Sequence, residues 1–316
     1  MSDAAIRIGT RGSALALAQA GLIADRIAAI SGGAVELIPI KSEGDHNTQS
    51  LATVGGTGIF ATALREALLA GRCDLLVHSF KDLPTVPYEG LRVGAVPKRA
   101  DARDTLCSRD GVGLDALAAG ARVGTGSPRR IAQLRARRAD LEIVDIRGNV
   151  DTRLGRVASG DLDAVMLAAA GLGRLGRLDV VSQLLELSDW PTAPGQGALA
   201  IEVRQESETR IDRILESINH MASALAAAAE RAVLAGLNAG CSAPIGASSV
   251  VDGEMLFLTA TVYQPDGTRQ LTGSHALVLD GTPSARMAQA DELGMRVAAD
   301  LLKQGAGELA GLGTGA

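Results

Sequence analysis

Two arginines stand side by side after a glycine-rich turn in ARVGTGSPRRIAQLR, residues 121–135. The pattern predicts a strand running into Gly124, Thr125 and Gly126, then a helix with Ser127 as N-cap and Pro128 at its first position. Arg129 and Arg130 then fall in the first helical turn, where a cation opposes the helix dipole. Two guanidiniums beside free backbone N–H groups favour a bound anion over a pair of solvated arginines. The GK[ST] ending is absent, so this is not a Walker A loop. IRIGTRGSALA repeats the theme, with Thr10, Arg11 and Ser13 between a strand and a helix start.

VHSFKDLPT ends a strand with His78, Ser79, Lys81 and Asp82 before Pro84. If the chain is extended there, Lys81 and Asp82 point to opposite sides. A carboxylate among cations at a strand end suits general acid/base work or stabilisation of a developing cation, and a surface turn would look the same. His78 is read as a packed histidine. DIRGNVDTRLGRV adds Arg147 and Arg153, and GLGRLGR adds Arg174. The literal GxGxxG at Gly171, Gly173 and Gly176 comes late in the second half of the α/β region, not in a first βα unit, and is not read as a dinucleotide fingerprint.

GLNAGCSAPIG, residues 236–246, puts Cys241 where an Ala-rich helix ends, with Asn238 and Gly240 as residues that tolerate the left-handed conformation. The thiol is expected on a loop, where a chemical role and an incidental one are both open. Cys73, Cys107 and Cys241 form an odd set without CxxC spacing, against disulfides and against structural zinc. None of the 4 histidines forms an HxxxH or HExxH pair, so metal catalysis has little support.

The elements that must position these side chains alternate. IRIGT, SALALAQAGLIADRIAAI, VELIPIK, TGIFATALREALLAGR, CDLLVHS and LRVGAVP read as an open α/β sheet. ARVGTG, SPRRIAQLRARRAD, LEIVDI, VDTRLGRVASG and DAVMLAAA read as a second, with a cleft between the two. ALAIEVR, residues 198–204, is a strand returning to the first sheet. Beyond residue 220 an Ala-rich helix, three strands with DG turns and a last helix make an α+β unit. The expected domains are 1–97 plus 198–216, 102–192 and 218–316.

With 316 residues, 47% of them hydrophobic, the chain has ample material for such cores. Net charge is −5 while arginines crowd residues 122–156, which suggests a specific anionic ligand, not a polyanion surface. Aromatics at 2% leave little to stack on bases, against nucleic acid as a partner. No run of about 18 unbroken apolar residues and no secretory pattern at the N-terminus point to a cytoplasmic protein with no membrane partner.

GTRGSALALAQ, VGGTGIF, HSFKDLPT, VGTGSPRRIAQL, IRGNVDTRL, LAAAGLGRLG, APGQGALAIEVR and ERAVLAGLNAGCSAPIG together, in this order and over most of the chain, resemble the porphobilinogen deaminase family. The resemblance implies two domains like type II periplasmic binding proteins plus a C-terminal α+β domain. It also implies a transferase, hydroxymethylbilane synthase, that joins porphobilinogen head to tail with release of ammonia. A dipyrromethane cofactor would be attached through a thioether to Cys241, and Asp82 would be the catalytic carboxylate that stabilises an azafulvenium cation. Ser79, Lys81, Asp82, Thr125, Ser127, Arg129 and Arg130 would hold the cofactor. Arg11, Ser13, Arg147, Arg153 and Arg174 would hold substrate or the growing chain, with Gln196 and Gly197 at the inter-domain crossover. The family further implies a monomer that passes its product to uroporphyrinogen III synthase. In VGGTGIF, Thr57 stands where many relatives carry lysine, and SEGDHNTQS also departs from the pattern, in a stretch expected to be lid-like.

Overall fold

The computed structural model describes residues 4–40, 59–240 and 242–312. Thr57, most of the expected lid-like stretch and Cys241 lie outside the described residues. Two five-stranded sheets and one three-stranded sheet organise the rest.

The first sheet is ordered β2 (Val35–Pro39), β1 (Ile6–Thr10), β3 (Leu75–Ser79), β10 (Leu199–Arg204), β4 (Leu91–Ala95). β1 runs parallel to β2 and β3, and β10 is antiparallel to both neighbours. The second sheet repeats that plan as β7 (Glu142–Val144), β6 (Arg122–Gly124), β8 (Ala164–Ala168), β5 (Asp104–Ser108), β9 (Gln183–Leu185), with β5 antiparallel. In each lobe the antiparallel strand directly follows a crossover from the other lobe, so the two lobes are joined by two chain passages. ALAIEVR does return to the first sheet; β5 and β9 were not expected, because both are short and carry polar residues at strand positions.

α1 (Ala14–Ser31) starts at Ser13, whose hydroxyl accepts from Ala16 N at 3.3 Å. By length and composition this helix is apolar enough to cross a membrane, with hydropathy 1.4. It instead lays Ala20, Ile23 and Ile27 against the first sheet, in one cluster with Ile6, Ile8 and Leu75. α2 (Ile59–Leu69) covers the other side, and its Arg65 binds Glu202 of β10 in the interior, Nη2 to Oε1 at 2.8 Å. His78 Nε2 packs 3.3 Å from Glu202 Oε2, the packed role expected of it.

The two crossovers touch. Gly197 has φ +84, and a Cβ there would lie 2.7 Å from Ala100 O, so a side chain would force the passages apart. Arg99 in the first crossover donates to Gln196 O in the second at 2.7 Å and pairs with Glu230 through Nη1 at 2.7 Å and Nη2 at 2.9 Å. Glu230 is fully buried and also accepts from Gly195 N at 2.8 Å and Ser249 Oγ at 2.7 Å.

Glu230 belongs to the third unit. There β11 (Ile245–Asp252), β12 (Met255–Tyr263) and β13 (Gln270–Val278) form an antiparallel meander whose turns hold the expected Asp252–Gly253 and Asp266–Gly267 pairs. α7 (Met221–Gly236) and α8 (Pro283–Lys303) cover its inner face. The buried side of α7 carries Ala224, Ala226, Ala227, Ala229 and Ala232, small side chains that let α8 approach closely. A Cβ on Gly294 of α8 would meet Ala229 O at 2.3 Å and Ala232 Cβ at 2.5 Å. Backbone cannot yield as a flexible side chain would, so Gly294→Val is expected to destabilise the protein by about 3 kcal/mol, the upper end for overpacking. A chemical-denaturation midpoint equal to that of the unsubstituted protein would refute this packing.

Candidate active site

The polar side chains singled out from the sequence sit where the chain leaves the parallel strands. Arg11 and Ser13 follow β1, Lys81 and Asp82 follow β3, Thr125 and Ser127 follow β6, Arg147 follows β7, and Arg174 is in α5 (Ala169–Arg174) after β8. In open α/β sheets this is the edge at which ligands bind. The GxGxxG glycines do not form a strand-to-helix turn there, because Gly171 and Gly173 are inside α5.

At the end of β6, Ser127 caps α3 (Pro128–Arg137) by accepting from Arg130 N at 3.5 Å, and Thr125 Oγ1 accepts from Ser127 N at 3.3 Å. Arg129 and Arg130 are 3% and 6% exposed, so they are not solvated. Asp104, fully buried at the start of β5, offsets part of their charge. Its Oδ2 lies 2.9 Å from Arg129 Nη1 and its Oδ1 accepts from Arg130 Nη2 at 2.5 Å. Oδ1 also accepts from Gln196 Nε2 at 2.8 Å, and Oδ2 from Trp190 Nε1 at 3.0 Å. Burial alone would raise the Asp104 pKa, but Arg129 and Arg130 outweigh it and hold the carboxyl well below the usual range.

Across the cleft, residues 80–82 form a 3-10 turn and are not extended, which leaves Lys81 half-buried and Asp82 exposed. Lys81 Nζ donates to Gln196 Oε1 at 3.2 Å. Ser79 Oγ accepts from Gln19 Nε2 of α1 at 2.8 Å. Arg231 of α7 holds the turn from beneath, donating to Phe80 O, Leu83 O and Pro84 O at 2.8 Å each, with its guanidinium 4.4 Å from the Phe80 ring centre.

The cations of the two lobes feel one another. Lys81 is lowered by burial and by Arg130 and Arg129, against the pull of Asp82 and Asp104. Arg153, on α4 (Val150–Ala158), is lowered by burial, Arg130 and Arg147, against Asp145 and Asp82. Burial lowers Arg129 too, and pulls Arg174 down to about 10. Arg174 Nη2 donates to Gly197 O at 2.7 Å, at the crossover. Lys81, Arg129 and Arg153 are lowered by neighbouring cations as well as by burial, which marks a region with more positive charge than its carboxylates balance and which a bound anion would relieve. Nε of Arg129, Arg130 and Arg147 are also buried without a hydrogen-bond partner.

Lys81, Asp82, Arg129, Arg130, Arg147 and Arg153 thus share one electrostatic neighbourhood, with Thr125 and Ser127 in the turn that leads into Arg129. Arg11 is half-buried at the end of β1, and Ser13 is engaged as a helix cap. Sequence reasoning missed Asp104, Trp190, Arg99, Glu230 and Arg231. Only Asp104 left a signal: an aspartate opening a short strand whose next three residues are all buried must find donors.

Comparison with known proteins bears on the whole chain. The family model described as porphobilinogen deaminase, dipyromethane cofactor binding domain, matches residues 6–212. The one described as porphobilinogen deaminase, C-terminal domain, matches residues 224–303. A porphobilinogen deaminase of Leifsonia xyli is 59% identical over 98% of this chain and 95% of its own. One of Thermobifida fusca is 47% identical over 98% and 97%. Among solved structures, an arginine-specific periplasmic binding protein of Salmonella typhimurium aligns over 68% of this chain and 92% of its own, with 12% identity and TM-score 0.39. The two cofactor-binding α/β lobes and the smaller α+β unit match the architecture expected from the sequence, and the chain belongs to the porphobilinogen deaminase family.

Proposed function

We propose that the chain is a hydroxymethylbilane synthase of tetrapyrrole (heme) biosynthesis, a transferase that joins porphobilinogen units head to tail and releases one ammonia for each. The observation that carries the reading is the excess of buried cationic groups facing one cleft at the strand ends. Each pyrrole ring of substrate and product carries an acetate and a propionate, and guanidinium binds carboxylate in bidentate fashion. The donor set therefore fits a dipyrromethane, which in this reading is joined by a thioether to Cys241.

When bound, that group supplies the terminal pyrrole carbon that attacks the incoming unit. Ser79, Lys81, Thr125, Ser127, Arg129 and Arg130 hold its carboxylates. Arg11, Ser13, Arg147, Arg153 and Arg174 hold those of porphobilinogen and of the growing chain. Breaking the aminomethyl C–N bond sends the electron pair off with ammonia and leaves an azafulvenium cation. Asp82 stabilises that cation as the one carboxylate of the turn, and its place near Lys81 and Arg153 supports this role. The new C–C bond would form at the exocyclic methylene of that cation, restoring its ring, and the attacking ring would regain aromaticity by losing the proton from its own α carbon.

The domain limits 1–97 with 198–216, 102–192 and 218–316 belong to the same reading, supported by the membership of β10 in the first sheet. So do a cytoplasmic monomer and transfer of the product to uroporphyrinogen III synthase.

Protein made in cells that supply porphobilinogen is expected to exceed its sequence mass by two porphobilinogen units less two ammonia, and Cys241→Ser not to. Equal, unmodified masses that persist after adding porphobilinogen would refute the attachment. Asp82→Ala should fold and lose about 10²–10³-fold in kcat; near-normal bilane formation would remove Asp82 from its role. Lys81 is lowered in the folded state, so between that depressed value and the free-lysine value of about 10.4 the unfolded chain binds the extra proton and stability rises with pH. Comparing apo protein with Lys81→Met by denaturation across this range should show that part of the rise missing from the variant. Parallel curves would contradict it.

A further inference from the structure

Asp104 is not among the residues that the family resemblance brings to the cleft, yet two separate segments converge on it. Arg129 and Arg130 come from the first turn of α3, and Trp190 and Gln196 from the second crossover. Hydrogen bonds from Arg130, Gln196 and Trp190 and the ion pair with Arg129 engage both carboxylate oxygens. With no solvent exposure, Asp104 acts through these neighbours. Gln196 extends the reach: its Nε2 donates to Asp104 Oδ1 and to Ala102 O at 2.7 Å, which turns its Oε1 toward Lys81 Nζ of the other lobe.

We propose that Asp104 is a positioning residue: it fixes the Arg129 and Arg130 pair on one lobe and, through Gln196, the Lys81 ammonium on the other. Cations of both lobes then meet one anionic ligand in a set relation, which rests on the cofactor reading above. Three cations and one carboxylate leave the group with two net positive charges, matched to a ligand with several carboxylates. Without Asp104 the two guanidiniums would repel each other in a dry site and lose their common anchor.

The substitution Asp104→Asn keeps the shape, but its amide puts a donor where Arg130, Gln196, Arg129 or Trp190 already donates. Trp190 is the only tryptophan in the sequence, so its emission reports this cluster alone. In the apo variant, the Trp190 emission is expected to shift to the red and become more open to acrylamide, with unchanged far-UV circular dichroism. In the active holoenzyme, kcat should fall about 100-fold, while KM for porphobilinogen stays within about threefold, because Arg147, Arg153 and Arg174 do not touch Asp104. A merely structural role would lower thermal stability and leave kcat of the folded fraction alone.

A kcat within about threefold of the unsubstituted enzyme overturns the proposal, and so does an unchanged Trp190 spectrum. If the variant does not fold, Gln196→Leu removes the link to Lys81 along with the amide's bonds to Asp104 and Ala102 O, and leaves Arg129, Arg130 and Trp190 on Asp104. A drop in kcat of about tenfold with Trp190 emission unchanged is then expected, and an unchanged kcat overturns the relay. If the unsubstituted protein makes no bilane from porphobilinogen, the functional reading fails, and the apo Trp190 spectra still decide whether Asp104 holds the arginines.

Discussion

A carboxylate with no solvent exposure persists as an anion only if donors surround it, and Asp104 is met by two guanidiniums, an indole and an amide. The converse holds as well. Two arginines in the first turn of a helix oppose its dipole, and burying them is tolerable only beside such an anion. The strand that begins at Asp104, the helix that begins after Ser127 and the crossover at residues 190–196 are thereby one electrostatic unit. Much else in the cleft depends on it, since this unit sets where the remaining positive charge points.

That charge is deliberately incomplete. Asp104, Asp82 and Asp145 do not balance Lys81, Arg129, Arg130, Arg147, Arg153 and Arg174. The cost appears as cations lowered from their ordinary values and as buried guanidinium N–H groups without partners. A protein that keeps such strain at one place has its ligand's charge written into the fold, and polycarboxylate pyrroles match that requirement.

The third unit is the brace. Neighbouring residues of α7 face different partners: Glu230 fastens the crossovers through Arg99 and Gly195, and Arg231 fastens the turn bearing Lys81 and Asp82. The same helix then leads toward Cys241. Its alanine-rich surface has a physical purpose beyond helix propensity, because only small side chains let α8 close over it at Gly294. In the proposed function, a cofactor attached after α7 would be tied to the helix that holds the turn bearing Lys81 and Asp82.

Local patterns alone determined much of this protein. Strand-then-helix alternation, Ser13 and Ser127 as caps, the two DG turns and the return of ALAIEVR all follow from hydrophobic period and turn chemistry, which act over a few residues. The ordered motifs also carried the family and the cations that line the cleft. Tertiary structure decided what those cations are bound to. Asp104 is 25 residues before Arg129 and Gln196 is 67 after it, by their numbers in the chain, and no local rule joins them. The 3-10 turn at residues 80–82 likewise came from outside its own segment, held by three carbonyl contacts to Arg231. Backbone shape is written largely in neighbours along the chain, whereas the balance of buried charge depends on groups that only folding brings together.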